Sequence, residues 1–128
     1  MLEIGLKGCA QTTVGTENIA STYSSGSLPV FATPAMLALM EQAAHTCVQP
    51  YLEEGQGTVG TLLNVKHLAA TPLGMGVRAE CELIEVDRRR LVFTVCAYDD
   101  VERIGEGVHE RFIIDDSRFM EKARTKIK

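Results

Sequence analysis

The chain has 128 residues, 45% hydrophobic and 23% charged, which suits one globular domain over residues 1–128 that buries roughly two-thirds of its unfolded surface. A formal net charge of −4 argues against the basic face of a nucleic-acid binder. No apolar run approaches the ~18–20 residues of a membrane span.

The opening Met1-Leu2-Glu3-Ile4-Gly5 lacks the basic, apolar, then small-residue order of an export signal. Cys9, Cys47, Cys81 and Cys96 stand far apart without a CxxC pair, so reduced thiols in the cytoplasm are expected, with no metal site or disulfide framework.

Gln11 to Gly15 reads as a short first strand, and Ser24-Ser25-Gly26-Ser27 as a small polar loop. Thr33 followed by Pro34 predicts a helix start, a hydroxyl cap and then a proline whose missing N–H does no harm. The helix is expected to reach Val48, where Pro50, Gly55 and Gly57 stop it. It is apolar on nearly every side, so it belongs inside the protein, yet Glu41 sits in its middle. A carboxylate in such company is costly unless paired or protonated, and it is a common source of a tuned acid or base.

Beyond Val59 the periodicity changes to two. Val59, Thr61, Leu63, Val65 and His67 are expected on one face, with Asn64 and Lys66 on the other. After the break at Thr71-Pro72-Leu73-Gly74, Val77, Ala79, Cys81 and Leu83 alternate against Arg78, Glu80 and Glu82. The turn Asp87-Arg88-Arg89-Arg90 leads to a strand from Leu91 to Tyr98, apolar on both faces and hence central. A last strand is expected to line up Ile104, Val108, Phe112 and Ile114, with His109 and Arg111 turned outward. Ser117 to Lys128 reads as a terminal helix with a basic end.

One apolar helix needs a wrapper, and a curved antiparallel sheet supplies it. This is an α+β hotdog arrangement. It leaves an edge strand and one helix flank uncovered, so a homodimer is expected, with a tetramer of two such dimers as the alternative.

Glu41 and His67 are the first candidates for chemistry, because both point into the same helix–sheet seam; the plainer alternatives are a carboxylate at the one wet edge of the helix or paired with a lysine, and a core histidine with a satisfied hydrogen bond. Thr33 is either a cap alone or a hydroxyl beside free backbone N–H groups that stabilise an oxyanion. Gly60, inside a strand, marks a bulge or a close approach of ligand or backbone. His45 lies one turn beyond Glu41, but Glu41, His45 and His67 match no metal-ligand spacing. Arg88-Arg89-Arg90 is either a solvated turn or, with Arg111, Lys122, Arg124, Lys126 and Lys128, a partner for the phosphates of coenzyme A.

Val30-Phe31-Ala32-Thr33-Pro34-Ala35-Met36-Leu37, the helix carrying Glu41, and Gly60-Thr61 with Val65-Lys66-His67 resemble the fluoroacetyl-CoA thioesterase family of hotdog acyl-CoA thioesterases. The similarity continues through Ala69 to Gly74, Arg88 to Leu91, Ile104-Gly105 and His109-Glu110-Arg111. It implies that Thr33, Glu41 and His67 act together in thioester hydrolysis, and that Gly60 offers its N–H to the thioester carbonyl. Phe31 and Arg111 join Gly60 as substrate-binding candidates. Coenzyme A enters as part of the substrate, and no separate cofactor is implied.

The fluoroacetate-specific enzyme carries phenylalanines in a lid where this chain has Ser24 to Ser27, which points to a general small acyl-CoA. A thiol of pKa about 8.5 leaves with little help, so a nucleophile and an oxyanion donor suffice. His67 would serve as acid/base. Glu41 would orient it, activate water or attack the carbonyl, and Thr33 would attack or position.

Thr33 and Glu41 lie about 12 Å apart on one straight helix, so either Thr33 precedes the helix and folds back or, the favoured reading, the partner subunit completes the site. A hotdog hydratase or dehydratase, and a non-catalytic acyl-CoA-binding protein, are the alternative functions.

Overall fold

The computed structural model describes residues 2–127; Met1 and Lys128 lie outside the described residues. In chain order the elements are β1 (Lys7–Thr13), α1 (Ala20–Tyr23), α2 (Thr33–Val48), a 3₁₀ turn (Gln49–Tyr51), β2 (Gln56–His67), β3 (Gly76–Asp87), β4 (Arg90–Asp99), β5 (Arg103–Asp115) and α3 (Asp116–Arg124). The five strands form one antiparallel sheet in the order β1-β3-β4-β5-β2. β4, apolar on both faces, takes the central place its composition predicts, and the α+β hotdog arrangement follows.

The sheet wraps α2. Met36, Leu39, Met40, Ala43 and Ala44 are buried against a wall that includes Val77, Ala79, Leu83, Phe93, Val95 and Ala97. Close approach depends on Gly105, where an added methyl carbon would sit 2.5 Å from the Met36 sulfur. The helix is not covered all round. Pro34, Ala38, Gln42 and His45 are exposed, with Leu37 and Glu41 half-buried between them. This stripe and the free edge of β2 are what one sheet around one helix leaves open.

Three boundaries and two faces differ from the sequence reading. β1 runs from Lys7 to Thr13 rather than from Gln11 to Gly15, because its ladder with β3 begins at Lys7 opposite Glu82. The last helix occupies Asp116–Arg124 instead of Ser117 to Lys128, capped by Asp115, whose side chain accepts the Arg118 N–H. Thr33 is the first residue of α2, and the extended Ala32 (φ −73, ψ 140) is its N-cap.

In β2 a bulge at Thr61 shifts the pairing from Gly60–Arg111 to Leu62–Glu110. Thr58 and Gly60 face inward before the bulge and Leu63, Val65 and His67 after it, so Val59 and Thr61 leave the predicted face. In β5, Ile104 falls between two paired residues and is itself buried. That irregularity reverses the parity beyond it: His109, Arg111 and Ile113 turn inward, while Val108, Phe112 and Ile114 do not.

Candidate active site

The first group of candidates forms where α2 begins. The segment ahead of the helix is fixed on two sides: Phe31 N–H donates to the Thr71 carbonyl and Ala32 N–H to the Asn18 carbonyl, both at 2.9 Å. Thr71 is itself fully buried and donates its hydroxyl to Asp99 Oδ2 at 2.9 Å. Thr33 therefore emerges in a set position. Its hydroxyl makes no cap and lies 2.7 Å from His67 Nδ1 instead.

His67 closes β2, and the next residue anchors the strand end through Leu68 N–H to the Ile104 carbonyl at 2.7 Å. Its Nε2 is buried without a hydrogen-bond partner among the described residues. Burial pushes the imidazole below its ordinary 6.5, with the Ala69 backbone opposing. His67 is thus neutral near pH 7 and able to accept a proton. A cavity of about 350 Å³ opens beside the pair, walled by Ala20, Val30, Phe31, Leu68, Ala69 and Ala70, with Ser25 at its rim. Phe31 is 1% exposed and forms the fixed back wall rather than a lid.

The second group lies further along α2. Glu41 accepts a hydrogen bond from Arg111 at 3.1 Å, and its side chain is 40% exposed. The buried charge is therefore not the carboxylate but the guanidinium, which is 7% exposed. Arg111 is well held. Its Nε donates to Thr58 Oγ1 at 2.8 Å, a terminal nitrogen to the Thr58 carbonyl at 3.0 Å, and the other lies 3.2 Å from His109 Nε2.

His109 in turn donates from Nδ1 to the Leu62 carbonyl at 2.8 Å. These bonds fix its tautomer with Nε2 as acceptor, and burial holds it below 6.5. A methyl carbon added at Gly60 would collide with the Glu41 carboxylate, so glycine lets that carboxylate lie against the strand.

Two expectations fail here. His109 and Arg111 do not point to solvent, and Arg111 does not join a surface cluster for phosphates; Arg111 holds Glu41, and His109 lies against Arg111. Sequence reasoning missed Thr58 and His109 as members of the site. The signal was present as a period-two run Gly105, Gly107, His109, Arg111, but the unpaired Ile104 hid its direction.

Within one chain the two groups stay apart. Gly60 and His67 are seven residues apart on the same strand, about 20 Å. Thr33 meets His67 and Glu41 meets Gly60, but Glu41 does not reach His67. Each chain therefore holds two separate groups of side chains along β2, one at its end around His67 and one around Gly60. His45, exposed on the open stripe, joins neither.

Residues 14–117 match the family of the fluoroacetyl-CoA-specific thioesterase. The fluoroacetyl-CoA thioesterase of Streptantibioticus cattleyicolor is 47% identical over 97 residues, which cover 76% of this chain and 70% of that protein. A solved fluoroacetyl-CoA thioesterase superposes with a TM-score of 0.93 at 36% identity, covering 100% of this chain and 99% of the other. A variant of that enzyme solved with acetyl-CoA gives 0.92 at 36%, covering 99% and 100%. A thioesterase superfamily member from Thermus thermophilus gives 0.90 at 28% identity, covering 98% and 93%. The chain is a hotdog-fold member of the fluoroacetyl-CoA-specific thioesterase family.

Proposed function

We propose that this thioesterase hydrolyses a small acyl-CoA to the free acid and coenzyme A, at a site that two copies of the chain assemble between them. The observation that carries the reading is the 2.7 Å contact of a hydroxyl with a neutral imidazole at the mouth of a largely apolar cavity. A nucleophile within hydrogen-bond reach of its base is the signature of acyl transfer.

Thr33 donates to His67 Nδ1 and attacks the thioester carbonyl while the imidazole takes its proton. The thiolate departs with little assistance, since its conjugate acid has a pKa of about 8.5. Gly60 N–H receives the oxyanion, and Glu41 directs the water that releases the acid. Transient acylation of Thr33, read by mass spectrometry of quenched enzyme, tests the assignment. Turnover retained in Thr33→Ala, with no adduct in the parent, would make Thr33 a positioning hydroxyl and give the attack to Glu41 or water.

The free edge of β2 supports the assembly. Antiparallel pairing of this edge with its copy, centred near Leu63 and Asn64, sets Gly60 of the partner subunit opposite His67. The two half-sites then become one, twice over. A mixed dimer of Thr33→Ala and Glu41→Ala chains has one site with both defects and one with neither. About half the parental activity per dimer is expected, and none would refute the shared site.

The acyl group is read from the cavity wall. Ser24 to Ser27 contributes no aromatic ring, so the acyl end is roomier than a lid of phenylalanines would leave it. Straight and branched acyl groups of a few carbons are expected to turn over at least as well as fluoroacetyl. A thiol-release screen across short, branched, aromatic and fluorinated acyl-CoAs, with Glu41→Gln as control, decides this. No helix among the described residues is long and apolar enough to cross a membrane. Four free cysteines accord with a cytoplasmic location.

A further inference from the structure

We propose that the groove between the β3–β4 turn and α3 holds the phosphorylated nucleotide end of coenzyme A, through Arg89, Arg118 and Lys122. The inference rests on the acyl-CoA reading above and names where the part of the substrate remote from the thioester lies.

The arginine triplet at the turn is divided by the hairpin. Arg88 takes the left-handed turn position, with φ 58. Arg90 is committed to Glu110 and Glu85, each at 2.9 Å. Arg89 remains. Its carbonyl accepts the Ile113 N–H at 2.8 Å, which pins the turn to β5, and the residue lines a groove of about 740 Å³.

Across that groove stand Arg118 and Lys122, four residues apart and so on one face of α3, with Phe119 beside them. None of the three cations has a carboxylate within 4.0 Å among the described residues. Of the two acids at the groove, Asp115 is engaged in capping α3 through the Arg118 N–H at 3.1 Å, and Glu121 is the other. Three cations without a carboxylate partner, set against the two acids Asp115 and Glu121, leave the groove net positive, with donors placed to bind a phosphate. The Phe119 ring, 43% exposed, offers a stacking surface for a base.

The groove also lies within reach of the thioester. The start of α3 is tied to β2 by Asp116 N–H donating to the Gly55 carbonyl at 2.9 Å, and a methyl carbon added at Gly57 would sit 2.7 Å from Asp116 Oδ1. From Gly57 to Gly60 is about 10 Å of strand. Arg118 and Lys122 add about 5–10 Å of helix. That span is comparable with an extended pantetheine diphosphate arm.

The test is calorimetric titration of the whole protein with coenzyme A, dephospho-coenzyme A and pantetheine, alongside thiol release. In Arg118→Glu/Lys122→Glu, coenzyme A is expected to bind roughly tenfold more weakly while pantetheine is unaffected, as loss of charge-assisted phosphate contacts requires. KM for acyl-CoA is expected to rise by a similar factor with kcat unchanged, and Phe119→Ala to raise KM severalfold.

Coenzyme A affinity equal in parent and charge-reversed protein overturns the groove. An equal loss for pantetheine overturns it as well, because that marks general damage. Thiol release with unaltered coenzyme A affinity leaves the hydrolase standing without this groove. Charge-dependent coenzyme A binding without thiol release from any acyl-CoA does the reverse.

Discussion

The ion pair of Arg111 with Glu41 joins a dehydrated guanidinium to a carboxylate that stays partly in water. A carboxylate in the middle of an apolar helix draws attention as the buried charge, yet it is the guanidinium from β5 that is dehydrated. Four polar contacts compensate it, so the network is costly to break in part. Arg111→Lys keeps the charge and loses the fork. It is expected to destabilise the fold by about 1–3 kcal/mol, read from the urea midpoint, and to lower kcat by releasing Glu41.

His67→Gln removes the proposed base and leaves a polar side chain of similar length; kcat is expected to fall by about 10²–10⁴ with an unchanged urea midpoint. Because burial holds the His67 imidazole below 6.5, the acid limb of kcat/KM is expected to lie below that value. A limb centred above 6.5 would contradict a desolvated base.

The strands show how single residues redirect whole elements. One bulge at Thr61 turns Gly60 and His67 to the same face although they are an odd number of residues apart. One unpaired residue, Ile104, turns His109 and Arg111 inward. Two glycines then distinguish function from packing. Gly60→Ala places a methyl against the Glu41 carboxylate, the far end of a flexible side chain, so folding is expected to survive while kcat falls at least tenfold. Gly105→Ala presses on Met36 in the core and is expected to cost about 1–3 kcal/mol in denaturant unfolding, with kcat per folded molecule little changed.

For the molecule as a whole, the pH dependence of stability follows from its two buried imidazoles. Burial lowers both His67 and His109, so the folded state disfavours their protonation. As pH falls through 6.5 the unfolded chain takes up protons that the folded chain refuses, and stability declines. Carboxylates enter lower: Glu110, held down by Arg90, starts from 4.5, and its contribution is lost only as pH falls further. The urea midpoint is therefore expected to drop between pH 7.5 and 5.5, and a flat profile would show that neither imidazole is dehydrated. The shared site proposed above makes activity per chain depend on the concentration of the proposed dimer. Specific activity is expected to fall on dilution below the dimer dissociation constant.

Local pattern decided much of this protein. The helix Thr33–Val48, the alternation of β3 and the central place of β4 follow from periodicity and from Pro50, Gly55 and Gly57. The resemblance to hotdog thioesterases was likewise legible from Thr33, Glu41, Gly60 and His67. Only the tertiary structure decided which faces the ends of β2 and β5 present, because a bulge has no periodic signature and reverses every side chain beyond it. It also decided that Thr33 bonds His67 and does not cap, and that Glu41 answers to Arg111 and does not meet His67 within one chain. Those pairings join residues 34 and 70 positions apart, a separation that chain folding closes and local pattern does not encode.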